Sequence, residues 1–191
     1  MLDLYLLVLG QDQAECDEFS LENVDCDLHI VTNEADRSMA SIANWHLKRC
    51  QRAVFGLIHP DVSFGAGGLE ALHASAAVGN VCGVVGAPLK GRYRWCYANP
   101  GKVSTLDDCS VFFRPDSGLR FDAETCDTFY AYVSDLCLQA HAKGIPVVVP
   151  SAQANHKGKR YFTDKTKRQA EWHAGLEKVR EKWPSVEFTT T

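Results

Sequence analysis

Apolar positions along this chain follow two rhythms. Unbroken apolar runs occupy residues 4–9, 54–58, 81–85 and 145–149, with a shorter one at 28–32. Runs of this length suit parallel strands buried on both faces. Residues 111–114 predict a further short strand, and the alternation over 92–98 predicts a half-exposed one. Helical spacing governs the rest. Met39, Ile42, Ala43, His46 and Cys50 share one face over 38–50. Residues 69–78 predict a helix stopped by Gly79, and Phe129, Val133, Leu136 and Ala140 form one stripe of a helix ending before Gly144. Residues 164–183 predict a charged helix, and the glycine-rich stretch 63–68 a flexible loop. The first half thus reads β-α-β-α-β, the pattern of an open parallel sheet with right-handed crossovers, and the whole an α/β sandwich with a mixed sheet.

A chain of 191 residues is enough for one domain with a core that needs no covalent staples. Its net charge of −4 argues against general nucleic-acid binding. The charge is uneven: residues 157–191 hold nine Lys/Arg against five Asp/Glu, whereas residues 1–156 hold eleven against nineteen. The basic stretch is either a solvated helix face or a surface for an anionic partner. None of the eight cysteines forms a C-x-x-C pair, and several lie in apolar runs. They read as reduced core thiols of a cytoplasmic protein. The opening ten residues carry Asp3 and no basic segment, which predicts a buried first strand and neither a signal peptide nor a membrane span.

Four constellations carry candidate chemistry. His59-Pro60-Asp61 follows a buried strand, where open α/β sheets bind ligands. An imidazole and a carboxylate one residue apart suit Mn2+, whereas Mg2+ prefers oxygen; without a metal the same residues describe a turn. Asp107-Asp108 precede another apolar run and can share a metal, bind sugar hydroxyls or cap a turn. Asp135 sits inside a helical apolar stripe with Tyr132 one turn earlier, a candidate general base or a helix carboxylate with its own partner. His156 follows the last apolar run, and by closing on Asp61 it would complete a metal site. No dinucleotide fingerprint, P-loop or nucleophile elbow is present.

In order and spacing, Asn44, Val54-Phe55-Gly56-Leu57-Ile58-His59-Pro60-Asp61-Val62, Gly83-Val84-Val85-Gly86, Leu106-Asp107-Asp108-Cys109, Leu119-Arg120-Phe121-Asp122, Tyr132-Val133-Ser134-Asp135-Leu136-Cys137-Leu138 and His156 resemble the family 2 glycosyltransferases, most closely their small bacterial glycosyltransferase-like branch. The resemblance runs from about Asn44 to His156. It implies a GT-A-like three-layer α/β/α sandwich with a mostly parallel mixed sheet. It implies one domain over 1–191, with a nucleotide-binding half (1–90), an acceptor half (91–156) and a basic C-terminal helix (157–191). The donor implied is a nucleotide-sugar, UDP-linked first of all, and the acceptor a glycan, a lipid-linked glycan or a protein. Asp61, His59 and His156 would hold a divalent metal, Mn2+ or Mg2+. Asn44, His59, Asp107, Asp108 and Tyr132 would line the donor and acceptor sites. Asp135 and Asp122 would be catalytic, with Asp127 a further candidate base.

The chain departs from the family pattern at three places. His59 stands where D-x-D begins with Asp. Val133 stands at the usual base position, two residues before Asp135-Leu136. The acidic residue that normally binds the base after the first strand is not identifiable, with Asp12 and Asp36 as candidates. The leading expectation is an inverting, metal-assisted sugar transfer in the cytoplasm, with peripheral membrane contact through the basic stretch (Lys157, Lys159, Arg160, Lys165, Lys167, Arg168). The alternative is a catalytically silent module that binds a nucleotide, a glycan or a partner. A nucleotidyltransferase is disfavoured because Gly10-Gln11-Asp12-Gln13 is not basic.

Overall fold

The computed structural model describes residues 2–10, 13–17, 19, 21, 25–33, 37–128, 130–157 and 165–190, with only the backbone at 165–168. Asp12, Asp36, Phe129, Lys159, Arg160 and the side chains of Lys165, Lys167 and Arg168 lie outside the described residues. In chain order the elements are β1 (Leu4–Gly10), α1 (Gln13–Asp17), β2 (Asp27–Thr32), α2 (Met39–Leu47), β3 (Val54–Ile58), β4 (Val62–Phe64) and α3 (Gly68–Ala77). Then follow β5 (Val81–Cys82), β6 (Val85–Ala87), β7 (Arg94–Trp95), β8 (Gly101–Lys102), β9 (Thr105–Leu106) and β10 (Ser110–Phe113). The last four are α4 (Tyr132–Ala142), β11 (Val147–Val149), β12 (Ala154–His156) and α5 (Lys165–Lys182).

Seven strands form the main sheet in the order β2-β1-β3-β10-β5-β11-β8. β1 is parallel to β2 and β3, and β11 to β5, while β10 runs antiparallel between β3 and β5 and β8 is an antiparallel edge. Every residue of β1, β3 and β10 is buried, so the sheet centre is covered on both faces, as the unbroken apolar runs require. β3 and β10 meet at a close approach. Gly56 pairs with Phe112, and a Cβ on Gly56 would lie 2.5 Å from the Phe112 ring. The glycine is there to admit the phenyl ring.

Three elements differ from the periodicity. The apolar run 81–85 is two strands in different sheets: β5 in the main sheet, and β6 in a small sheet ordered β7-β6-β9. The chain breaks at Gly83, where a Cβ would lie 2.5 Å from the Ser110 carbonyl oxygen, and the next N–H, of Val84, donates to Ser110 Oγ at 2.8 Å. The alternating stretch 92–98 is a strand only at Arg94–Trp95, because Ala98 and Asn99 both turn back to donate to the Trp95 carbonyl. Residues 63 and 64, within the stretch expected as loop, join Val62 in β4, which pairs antiparallel with β12. No helix among the described residues is long and apolar enough to cross a membrane.

Candidate metal and donor site

The parallel strand β3 ends at Ile58, and the His59 N–H continues the ladder by donating to the Cys109 carbonyl at 2.8 Å. Pro60 has no N–H to extend a strand. A turn closes instead, with Val62 N donating to the His59 carbonyl at 3.1 Å, and starts β4. The β4–β12 ribbon sets His156 opposite Val62, and Lys157 N donates to the Asp61 carbonyl at 3.0 Å. His156 Nε2 consequently stands 3.1 Å from Asp61 Oδ2, with the two side chains 21% and 12% exposed. The β9–β10 turn comes in from the other side. Asp107 Oδ1 accepts from Cys109 N at 2.8 Å, and ligand atoms of Asp107, Cys109 and His156 all lie within 4.8 Å of one another.

His59 is oriented from behind. The Tyr132 hydroxyl donates to the Asp108 carbonyl at 2.8 Å and lies 3.0 Å from His59 Nε2. A phenol has one proton, and burial pushes the Tyr132 pKa well up, so that proton stays on oxygen and goes to the carbonyl. His59 Nε2 must then be the donor to Tyr132. Tyr132 is itself fully buried.

Asp108 caps α4. Its Oδ2 and Oδ1 accept from Ala131 N at 2.8 Å and Val133 N at 3.0 Å. Ala131, with φ of 68°, is the only non-glycine residue in the left-handed region among the described residues, and that bond helps to hold it there. Burial pushes the Asp108 carboxyl up to about 7; the Ala131 and Val133 N–H groups oppose this and the charge of Asp107 adds to it. Burial and Asp107 likewise hold the Cys109 thiol well above its ordinary range. Cys109 was legible only as a core cysteine, although its place directly after two aspartates was the signal that it faces the site.

The other candidates stand elsewhere. Asn44 uses both ends of its amide on the backbone of Phe121, Nδ2 donating to its carbonyl and Oδ1 accepting its N–H at 3.1 Å. Asp135 is fully buried and accepts from Lys182 Nζ at 2.8 Å, Trp183 Nε1 at 2.8 Å and Gln139 Nε2 at 2.7 Å. Asp122 accepts from Lys182 Nζ at 2.8 Å and from Thr125 Oγ1 at 2.7 Å. Burial raises its pKa, but Lys182, Thr125 and the Glu124 N–H outweigh burial and hold it well below the usual carboxylate range. Asp127 pairs with Lys178 at the surface. Asp122 and Asp135 thus form one cluster around Lys182; Asp107, Cys109 and His156 form another, with Asp61 paired to His156, while His59 contacts Tyr132.

The second cluster fits a hard or borderline divalent cation. The 3.1 Å contact of His156 with Asp61 is a hydrogen-bonded ion pair as it stands, and the same spacing suits two ligands each about 2.1 Å from an ion at a right angle. The carboxylates of Asp61 and Asp107 supply the negative charge, and imidazole suits Mn2+. Cys109, whose Sγ belongs to the same 4.8 Å group, is the soft donor of the set.

No protein-family model matches the chain, and no curated protein matches it in sequence. Solved structures do match. A crystal structure of GalNAc-T7 with UDP, GalNAc and Mn2+ superposes with a TM-score of 0.54 at 7% identity, covering 81% of this chain and 37% of that one. The chain thus spans little more than a third of that structure. A197 from STIV superposes with a TM-score of 0.51 at 14% identity, covering 83% of this chain and 85% of that one. At such identities the likeness is one of fold: the seven-stranded mixed sheet with its helices is GT-A-like.

Proposed function

We propose that this chain is a glycosyltransferase that takes a sugar from a nucleotide-sugar donor, with a divalent cation held by Asp61 and His156 and flanked by His59 and Asp107. The observation that carries the reading is the 3.1 Å approach of His156 to Asp61 beyond the end of a parallel strand in a GT-A-like sheet. When bound, the cation neutralises the diphosphate that leaves with the nucleotide. Mn2+ is favoured over Mg2+ by the imidazole donors, and a UDP-sugar is the first donor to test. His59 orients toward the site through Tyr132, so Tyr132 acts by position and not by touching substrate.

The proton of the acceptor hydroxyl goes to Asp108 in this reading. Asp135 already holds three donors and is fully buried, and Asp122 is held ionised by Lys182. Asp108 has a pKa pushed up to about 7, the range of an effective base at neutral pH. Its carboxylate reaches the N–H of Val133, the position where enzymes of the resembling family carry their base. Each carboxylate oxygen has a second lone pair beyond the one given to the backbone. Inversion follows if the hydroxyl attacks opposite the leaving diphosphate.

Titration calorimetry of the purified protein with UDP and GDP, with and without Mn2+, tests the donor site. Mn2+-dependent UDP binding that disappears in Asp61→Ala is the expected result. No binding of either nucleotide by folded protein would overturn the enzyme reading. It would favour the silent module that a buried Val133 at the usual base position also suggests.

A further inference from the structure

Between the β6–β7 loop and the segment at Thr189–Thr190 lies a groove of about 870 Å3 lined by Leu89, Arg92, Tyr93, Trp95, Asn99 and Thr190 among others. We propose that this groove binds the acceptor, and that the acceptor is an anionic saccharide, one carrying a uronate or a phosphate. The inference rests on the glycosyltransferase reading for the word acceptor; the binding itself does not.

Three observations point to this ligand. The first is the rings. Tyr93, 50% exposed, and the partly exposed Trp95 line the groove, and Tyr97, outside that lining and 59% exposed, has its ring 5.8 Å from that of Trp95. Exposed aromatic rings this close together offer flat apolar faces with polar tips at the rim, which match the apolar face and hydroxyl edge of a pyranose.

The second is charge. Among the described residues no carboxylate side chain lines the groove, and residues 71–106 contain no Asp or Glu at all. The same stretch carries Lys90, Arg92, Arg94 and Lys102, in a body whose residues 1–156 hold nineteen acidic groups against eleven basic ones. Arg92 lines the groove and Lys90 is exposed beside it. A planar guanidinium there suits a carboxylate or a phosphate.

The third is rigidity and place. Asn99 Oδ1 accepts from Trp95 N at 2.8 Å and its Nδ2 donates to the Tyr93 carbonyl at 2.9 Å, which braces the aromatic loop. Thr189 Oγ1 donates to the Pro88 carbonyl at 2.6 Å and its own carbonyl accepts from Thr105 Oγ1, closing the opposite wall. Cys96 donates through Sγ to the Ala154 carbonyl at 3.1 Å, on the strand that carries His156. Val85 pairs with Trp95 on one side and accepts from Asp107 N on the other. Two strand spacings of about 4.8 Å therefore put the Trp95 backbone roughly 10 Å from that of Asp107, a distance a short saccharide can span.

The test is a titration followed by tryptophan fluorescence and calorimetry, with neither nucleotide nor metal present. The probes are trigalacturonate, N-acetylglucosamine 1-phosphate and neutral chitotriose. Binding of at least one anionic probe, ten-fold or more tighter than chitotriose and weakened by salt, is expected. Tyr93→Ala and Arg92→Gln should each lower that affinity about ten-fold, while Asp61→Ala leaves it unchanged. Tyr93 and Arg92 are exposed, so both variants should fold, and circular dichroism verifies it. A uronate preference identifies a polysaccharide acceptor, and a phosphate preference a sugar phosphate headgroup. No binding of either anionic probe, equal binding of chitotriose, or full affinity in Tyr93→Ala overturns the proposal. A failed UDP titration beside a successful saccharide titration would sink the donor reading and leave the groove standing, and the reverse would do the opposite.

Discussion

A single phenolic proton decides which role His59 Nε2 plays toward Tyr132. Because the Asp108 carbonyl can only accept, Tyr132 gives its hydrogen there and takes one from His59. Tyr132→Phe removes that acceptor and frees the ring to rotate. Mn2+-dependent UDP binding should weaken about ten-fold, the usual scale for losing an outer support of a metal ligand, and calorimetry reads it directly. Asp108 makes a second prediction. Its folded pKa is raised to about 7, above the ordinary carboxylate value, so the folded state prefers the protonated form. The contribution of Asp108 to stability should therefore fall as pH rises from about 4 to about 7 and level off beyond, against the opposite slope of His46, whose pKa burial lowers to about 4. Asp108→Asn should flatten that slope in urea titrations and cut turnover by about 10²–10⁴-fold while sparing UDP binding. His59 and Asp61 follow β3, where strand polarity puts them, whereas Asp107 precedes β10 and His156 ends β12, a strand the sequence did not announce. The sequence left Asp135 as a base or as a helix carboxylate with its own partner and did not name that partner, because helical spacing reports a shared face and is blind to Lys182, which arrives 47 residues later.

Elements show the same division. Buried strands announced themselves by apolar runs, but the run 81–85 could not disclose that it turns from one sheet into another, because only Ser110 makes Gly83 the breaking point. β4 and β12 were invisible for a related reason: three-residue strands carry too few positions to establish a period. The pairing of β3 with β10 gives a sharp test. Gly56→Ala drives a methyl into the Phe112 ring and should cost about 1–3 kcal/mol in urea unfolding, with Phe112→Leu in the same chain recovering part of the loss. Helix α5 is tied to α4 by Lys182, which stands between Asp122 and the fully buried Asp135. Lys182→Met leaves Asp135 without its cation and should cost about 3–5 kcal/mol, far more than a surface pair would.

On the scale of the whole molecule, the mixed sheet was foreseen and its strand order was not. β10 runs antiparallel in the middle of the sheet, and order depends on pairings between residues as far apart as Phe55 and Phe113. That antiparallel strand brings Asp107 and Cys109 to the same end as His59, so one reversal of direction assembles half of the site. Acid should expose the molecule's dependence on the Lys182 cluster. Asp122 has a folded pKa well below the ordinary value, so its contribution is complete above about pH 4 and is lost as pH falls below it. Acid unfolding of Asp122→Asn should start from a less stable protein and lack this component.

The same cluster bears on how the chain acquires its structure as it leaves the ribosome. When α4 has emerged but Lys182 has not, Asp135 has neither its cation nor the indole of Trp183. Packing α4 onto β9 and β11 at that stage would bury a bare carboxylate, so the helix should stay undocked until residue 183 is free of the exit tunnel. Stalled nascent chains ending near residue 175 should remain protease-sensitive, and chains extended past 183 by a linker should resist.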